Sequence, residues 1–115
     1  MIILHCLKES DWNKYKNGKF YGEEHLKNVG FIHCSDIETM HKVAWMFLDK
    51  LEIHVILCIE TSKVKAQIKW ENGGSTDYPH IYGLLNLDAA VDVVPFLKDK
   101  NNQFILNAEL KKYLK

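Results

Sequence analysis

The chain has 115 residues, of which 47% are hydrophobic and 11% aromatic, and its 15 basic and 15 acidic side chains cancel. This is the profile of one ordered domain spanning 1–115, long enough to bury roughly two-thirds of the surface its unfolded chain exposes. A neutral chain has no net pull on phosphate, which argues against nucleic acid or anionic lipid as a partner recognised mainly by charge.

The elements follow in chain order. MIILHCL reads as a buried strand beginning near the first residue, and its apolar run is too short for a signal peptide or a membrane span, so no membrane partner is expected. A helix follows, with Ser10 or Asp11 as its cap, Trp12 and Tyr15 spaced three apart, and Gly18 as its stop. EEHLKNVG is a short polar helix or turn ending at Gly30, and FIHC is a short strand. Ser35 and Glu38 match the S-x-x-E capping box of a third helix. Its apolar stripe is Ile37, Met40, Ala44, Phe47, Leu48 and Leu51.

EIHVILCIE is the strongest strand. Ile53, Val55, Leu57 and Ile59 share one face; His54, Ile56, Cys58 and Glu60 share the other. SKVKAQ is a turn or helical piece, IKWE a strand and NGGSTDYP a loop. HIYGLL and AVDVVPFL are two further strands. KDKNN is a turn, QFIL a last strand paired antiparallel with the one before, and NAELKKYLK a terminal helix. Strands outnumber helices and do not alternate with them regularly, which predicts an α+β fold of mainly antiparallel sheets packed with a few helices. The three cysteines, Cys6, Cys34 and Cys58, form no CxxC pair and are odd in number, which fits a reducing cytoplasm.

Chemistry is expected where polar groups interrupt apolar strands, because a buried polar group without a partner costs about 1–3 kcal/mol. His5 shares its face with Ile3 and Leu7; it is either a core histidine bonded to a backbone carbonyl or a donor to a ligand. In HCS, alternation puts His33 and Ser35 on one face and Cys34 with Ile32 on the other. Cys34 then reads as a small buried hydrophobe and Ser35 as the helix cap, which leaves His33 without a structural task. Trp70 and Glu71, beside a Gly-rich loop, are candidates to hold a ribose or a base by stacking and hydrogen bonding, set against a plain solvated strand end. In YPHIYG, His80 and Tyr82 share a face, Pro79 restricts Tyr78 to extended geometry, and Gly83 permits a close backbone approach. Metal ligands are not expected, since the adjacent pairs His5/Cys6 and His33/Cys34 diverge.

Taken in order, ILH, the Trp of the first helix, GFIHCS, the strand ending in Glu60, KWEN, YPHIYG and AVDVV cover nearly the whole chain. This run resembles the bacterial family known as domain of unknown function 952. The family continues its last motif as PHIYGPL, and here Leu84 stands in place of that proline. The resemblance implies an ADP-ribosyltransferase-like fold, two small sheets with a cleft between them, and NAD as the cofactor such enzymes bind. It implies His5 as the early-strand residue and His33 as the second-strand one. The late position falls near His80 or Tyr82, with no glutamate there; Glu71 is the nearest substitute. Three readings stand. One is a transferase-like enzyme binding a nucleotide of the NAD or ADP-ribose type, with His5, His33, His80 and Tyr82 as catalytic groups and Ser35, Trp70 and Glu71 as ligand contacts. The second is a non-catalytic module for a small molecule or a protein. In the third, the histidines are structural.

Overall fold

The computed structural model describes residues 1–48, 52–71 and 76–114. In chain order its elements are β1 (Ile2–Lys8), α1 (Glu9–Tyr15), β2 (Phe20–Tyr21), α2 (Glu23–Val29), β3 (Ile32–His33), α3 (Met40–Val43), α4 (Trp45–Leu48) and β4 (His54–Glu60). There follow β5 (Gln67–Glu71), β6 (Tyr78–Tyr82), β7 (Leu85–Asn86), β8 (Ala90–Pro95), β9 (Leu97–Lys98), β10 (Phe104–Ile105) and α5 (Ala108–Lys111). Two three-stranded antiparallel sheets dominate, ordered β1-β4-β8 and β3-β6-β5, with small antiparallel pairs β2-β7 and β9-β10 beside them.

The alternation in β4 divides the core as its residues require. Val55, Leu57 and Ile59 join Ile3, Ile32, Ile81 and Leu85 on one side of the central sheet. Ile56 and Cys58 join Leu4, Met40, Val94 and Leu110 on the other. Ile53 lies outside the strand and is 66% exposed, although its carbonyl accepts the Glu9 N–H. The first helix starts directly from β1 at Glu9 with no side-chain cap, so neither Ser10 nor Asp11 serves as one.

The third helix departs further from expectation. Ser35 does not cap it. The Leu4 and Ser35 backbones exchange hydrogen bonds of 2.6 and 2.8 Å, forming an isolated bridge that ties the end of β3 to the free edge of β1. That pairing holds Ser35 extended, so regular helix begins only at Met40. The turn between is closed by Asp36, whose Oδ1 accepts from the Thr39 N–H and hydroxyl. Ser35 Oγ instead donates to Met40 Sδ at 3.3 Å. Ile37, Met40 and Ala44 of the stripe are buried; the Leu48 side chain and Leu51 lie outside the described residues, as do 72–75 of the expected loop.

HIYGLL is two strands, not one. The first starts early, at Tyr78, and the break falls at Gly83, where a Cβ would stand 2.8 Å from Ala66 Cβ. AVDVVPFL likewise divides into β8 and β9, and β9 pairs with β10. Gly22, between β2 and α2, has φ +110°, and a Cβ there would lie 2.3 Å from Cδ1 of the fully buried Ile32. Gly22→Ala is therefore expected to cost about 2 kcal/mol, from backbone strain and overpacking together, measured by urea unfolding. Among the described residues, no helix is long and apolar enough to cross a membrane.

Candidate functional site

The Leu4–Ser35 bridge brings the two main sheets together, and a cleft of about 420 Å³ opens beside it. Three strands contribute a histidine each to its lining: His5 from β1, His33 from β3 and His80 from β6. His33 and His80 are direct partners across the β3-β6 ladder, with ring centroids 5.3 Å apart. Phe31 stacks on His80 at 4.1 Å and packs against His33 at 4.7 Å, fixing both rings. The remaining wall is largely apolar, formed by Met40, Val43, Met46, Phe47 and Tyr78 among others.

His5 is buried, and both ring nitrogens are engaged: Nδ1 lies 2.6 Å from the His33 carbonyl oxygen and Nε2 2.8 Å from the Tyr21 hydroxyl. Burial pulls its pKa down from 6.5 to about 4, so the ring is neutral in the folded protein. This is the backbone-bonded alternative foreseen for it, and it leaves His5 no nitrogen for a ligand. His33 is exposed, and its imidazole makes no hydrogen bond with a described residue. Burial in part, and then the neighbouring His80, lower its pKa.

His80 is buried, and its Nδ1–H donates to Glu71 Oε1 at 3.1 Å, which leaves Nε2 for a ligand. The same carboxylate oxygen accepts the Tyr82 hydroxyl proton, and these two bonds hold the Glu71 carboxyl below its ordinary range. Glu71 and Tyr82 do not line the cleft; they act on it through His80. Ser35 lines it, with its hydroxyl turned to Met40. Trp70 does not: it pairs with Pro79 on the opposite face of β5 from Glu71 and is 40% exposed. Cys34 is buried beside Ile32, and burial raises its thiol pKa, so it is an inert wall group and not a thiolate.

Two participants were not anticipated. Tyr21, buried, and His25, half-buried, extend the His5 interactions, with the Tyr21 hydroxyl 2.9 Å from His25 Nε2. His25 lines the cleft. It sits in a polar stretch that reads as solvated helix, and no local spacing marks it, since Tyr21 lies on β2 before that helix begins. Among the described residues, no group of three or more His, Cys, Asp or Glu could hold a metal ion.

The fold and cleft define a small α+β protein of paired antiparallel sheets. The family model described as "Protein of unknown function (DUF952)" matches residues 6–93, and the chain belongs to that family. Its fold is similar to the X-ray crystal structure of protein CC0527 from Caulobacter crescentus, with TM-score 0.79 and 22% identity over 96% of this chain and 99% of that one. The solution NMR structure of CC0527 gives TM-score 0.72 and 25% identity over 88% and 89% of the two chains. No curated protein matches the chain.

Proposed function

We propose that this protein is a single-domain enzyme that binds a nucleotide of the NAD or ADP-ribose type in the histidine-lined cleft and handles protons there. The carrying observation is the convergence of His5, His33 and His80, from three separate strands, on one cleft. Its volume falls in the range of small-molecule sites, about 300–1,000 Å³. Phe31, Tyr78 and Phe47 offer faces for a base or a nicotinamide ring. His33 and His80 carry nitrogens free for a ligand. The basic residues of the chain are all lysine, so no guanidinium can clamp a pyrophosphate; His33 can present an N–H to one, whereas a neutral His80, its Nδ1–H given to Glu71, presents a lone pair at Nε2. Two small sheets meeting at a cleft also support the ADP-ribosyltransferase-like arrangement, which we include in the proposal.

The test is an NMR titration with NAD and ADP-ribose. Resonances of Phe31, His33 and His80 should move with at least one of them, and His33→Ala should weaken that binding about tenfold or more, equivalent to about 1.4 kcal/mol. Since His33 has ring contacts but no side-chain hydrogen bond, the same variant should lose no more than about 1 kcal/mol of stability. Silence at all three residues for every nucleotide would refute the proposal.

A second reading, binding without turnover, is favoured by one observation. Glu71, the carboxylate that would stand in for the late-strand glutamate, is engaged by His80 and Tyr82 and does not line the cleft. Nicotinamide release from NAD that disappears in His33→Ala would exclude it.

A further inference from the structure

The hydrogen bonds around His5 run in one direction. A carbonyl oxygen can only accept, so His5 Nδ1, 2.6 Å from the His33 carbonyl, must carry a hydrogen. The neutral ring then has a bare Nε2, which accepts the Tyr21 hydroxyl proton at 2.8 Å. The Tyr21 oxygen, its own hydrogen committed, accepts the Nε2–H of His25 at 2.9 Å. The chain thus reads His25 Nε2–H to Tyr21 O–H to His5 Nδ1–H to the His33 carbonyl. It cannot reverse without placing a second proton on His5. Among the described residues none bonds His25 Nδ1.

We infer that His25 is the proton acceptor of the cleft, its Nδ1 kept as a bare lone pair by the one-way chain through Tyr21 and His5. The inference rests on the cleft being a ligand site. In the step proposed, an X–H bond of the bound ligand breaks, the proton forms a bond to His25 Nδ1, and the electron pair stays on X. The imidazolium so formed donates a stronger Nε2–H bond to Tyr21, whose oxygen is the better acceptor because its own hydrogen is given to His5. His5 is then a positioning residue and not the catalytic group that the family resemblance implied.

The surroundings suit an acceptor. Burial lowers the His25 pKa, outweighing Glu24 on its own helix and Asp11 on α1, so the ring is neutral near pH 7. Tyr21 and His5 face it from β2 and β1, and His33 from β3 feels its charge. His25 also borders an adjoining cavity of about 300 Å³ that carries Cys6, Lys8, Glu52 and His54. A ligand atom can therefore approach it from the main cleft or from the adjoining one.

Long-range ¹H–¹⁵N NMR of the histidine rings reads the tautomers directly. Near neutral pH, His5 should be the Nδ1–H tautomer and His25 the Nε2–H tautomer. Tyr21→Phe, which removes one oxygen, should turn His25 into a tautomer mixture and leave His80 unchanged. A His25 found as Nδ1–H in the unaltered protein, a measurement that needs no variant to fold, overturns the inference; so does an unaltered His25 in Tyr21→Phe. Adding ADP-ribose should shift His25 Nδ1. Movement of His33 and His80 without His25 removes the acceptor role and leaves the nucleotide reading standing. No movement at any histidine with either ADP-ribose or NAD ends both, even with the tautomers as expected.

Discussion

Replacing His5 with alanine should cost about 3–4 kcal/mol of folding stability, several times the loss expected for His33→Ala. The imidazole is buried and satisfies two groups at once. Its removal leaves the His33 carbonyl without its donor and the buried Tyr21 O–H without its acceptor, at about 1–3 kcal/mol for each orphaned group, and opens a cavity between the sheets. Urea unfolding at constant m-value measures the difference. Equal losses for His5→Ala and His33→Ala would mean that the His5 hydrogen bonds contribute nothing net, and the division between a positioning His5 and a ligand-facing His33 would collapse.

Acidification should destabilise the protein well before its carboxylates titrate. His5 takes up a proton at about pH 4 when folded, against 6.5 when unfolded. Below pH 6.5 the unfolded chain therefore binds a proton that the folded chain refuses, and stability falls as the pH falls until the folded pKa is passed. At about 1.4 kcal/mol per pKa unit the full effect is about 3 kcal/mol, of which about 2 should be lost between pH 7 and pH 5. His25 and His33 are also lowered and add to the loss with the same sign. The depressed carboxyls of Glu71 and Asp92, with ordinary values of 4.5 and 3.8, withdraw their contributions only at more acid pH. Urea unfolding at the two pH values tests this. His5→Gln should be less stable near pH 7 but should lose less than about 1 kcal/mol on going to pH 5. An unchanged loss would show that His5 is not the group being titrated.

Much of the fold was legible because strand alternation is a local property. The two faces of β4 could be read from HVILCIE alone, since adjacent side chains on a strand must point apart. The same reasoning placed Cys34 with Ile32 and His80 with Tyr82. Histidines inside apolar runs announced themselves, because burying an imidazole demands a partner; His5 and His80 are buried with partners, His33 is exposed, and all three line one cleft. Trp70, chosen from its place beside a Gly-rich loop, does not line that cleft.

The errors came where a distant segment outbid a local signal. Ser35-x-x-Glu38 is a sound capping box, yet pairing with Leu4 takes the Ser35 backbone into a bridge, and Asp36 closes the turn instead. HIYGLL is apolar enough for one strand, but the approach of Ala66 at Gly83 divides it. His25 lay hidden in a polar helix, where a solvated histidine is the ordinary case.

The sequence by itself thus determined which residues must be inside, which faces they share and which polar groups needed partners, because these follow from side-chain chemistry and the period of each strand. Only the tertiary structure decided who the partners are. His5 meets Tyr21 and the His33 carbonyl, and His80 meets Glu71, because strands far apart in the chain pair in one particular register. A hydrogen bond between such groups depends on that register to within an ångström, which no local pattern encodes.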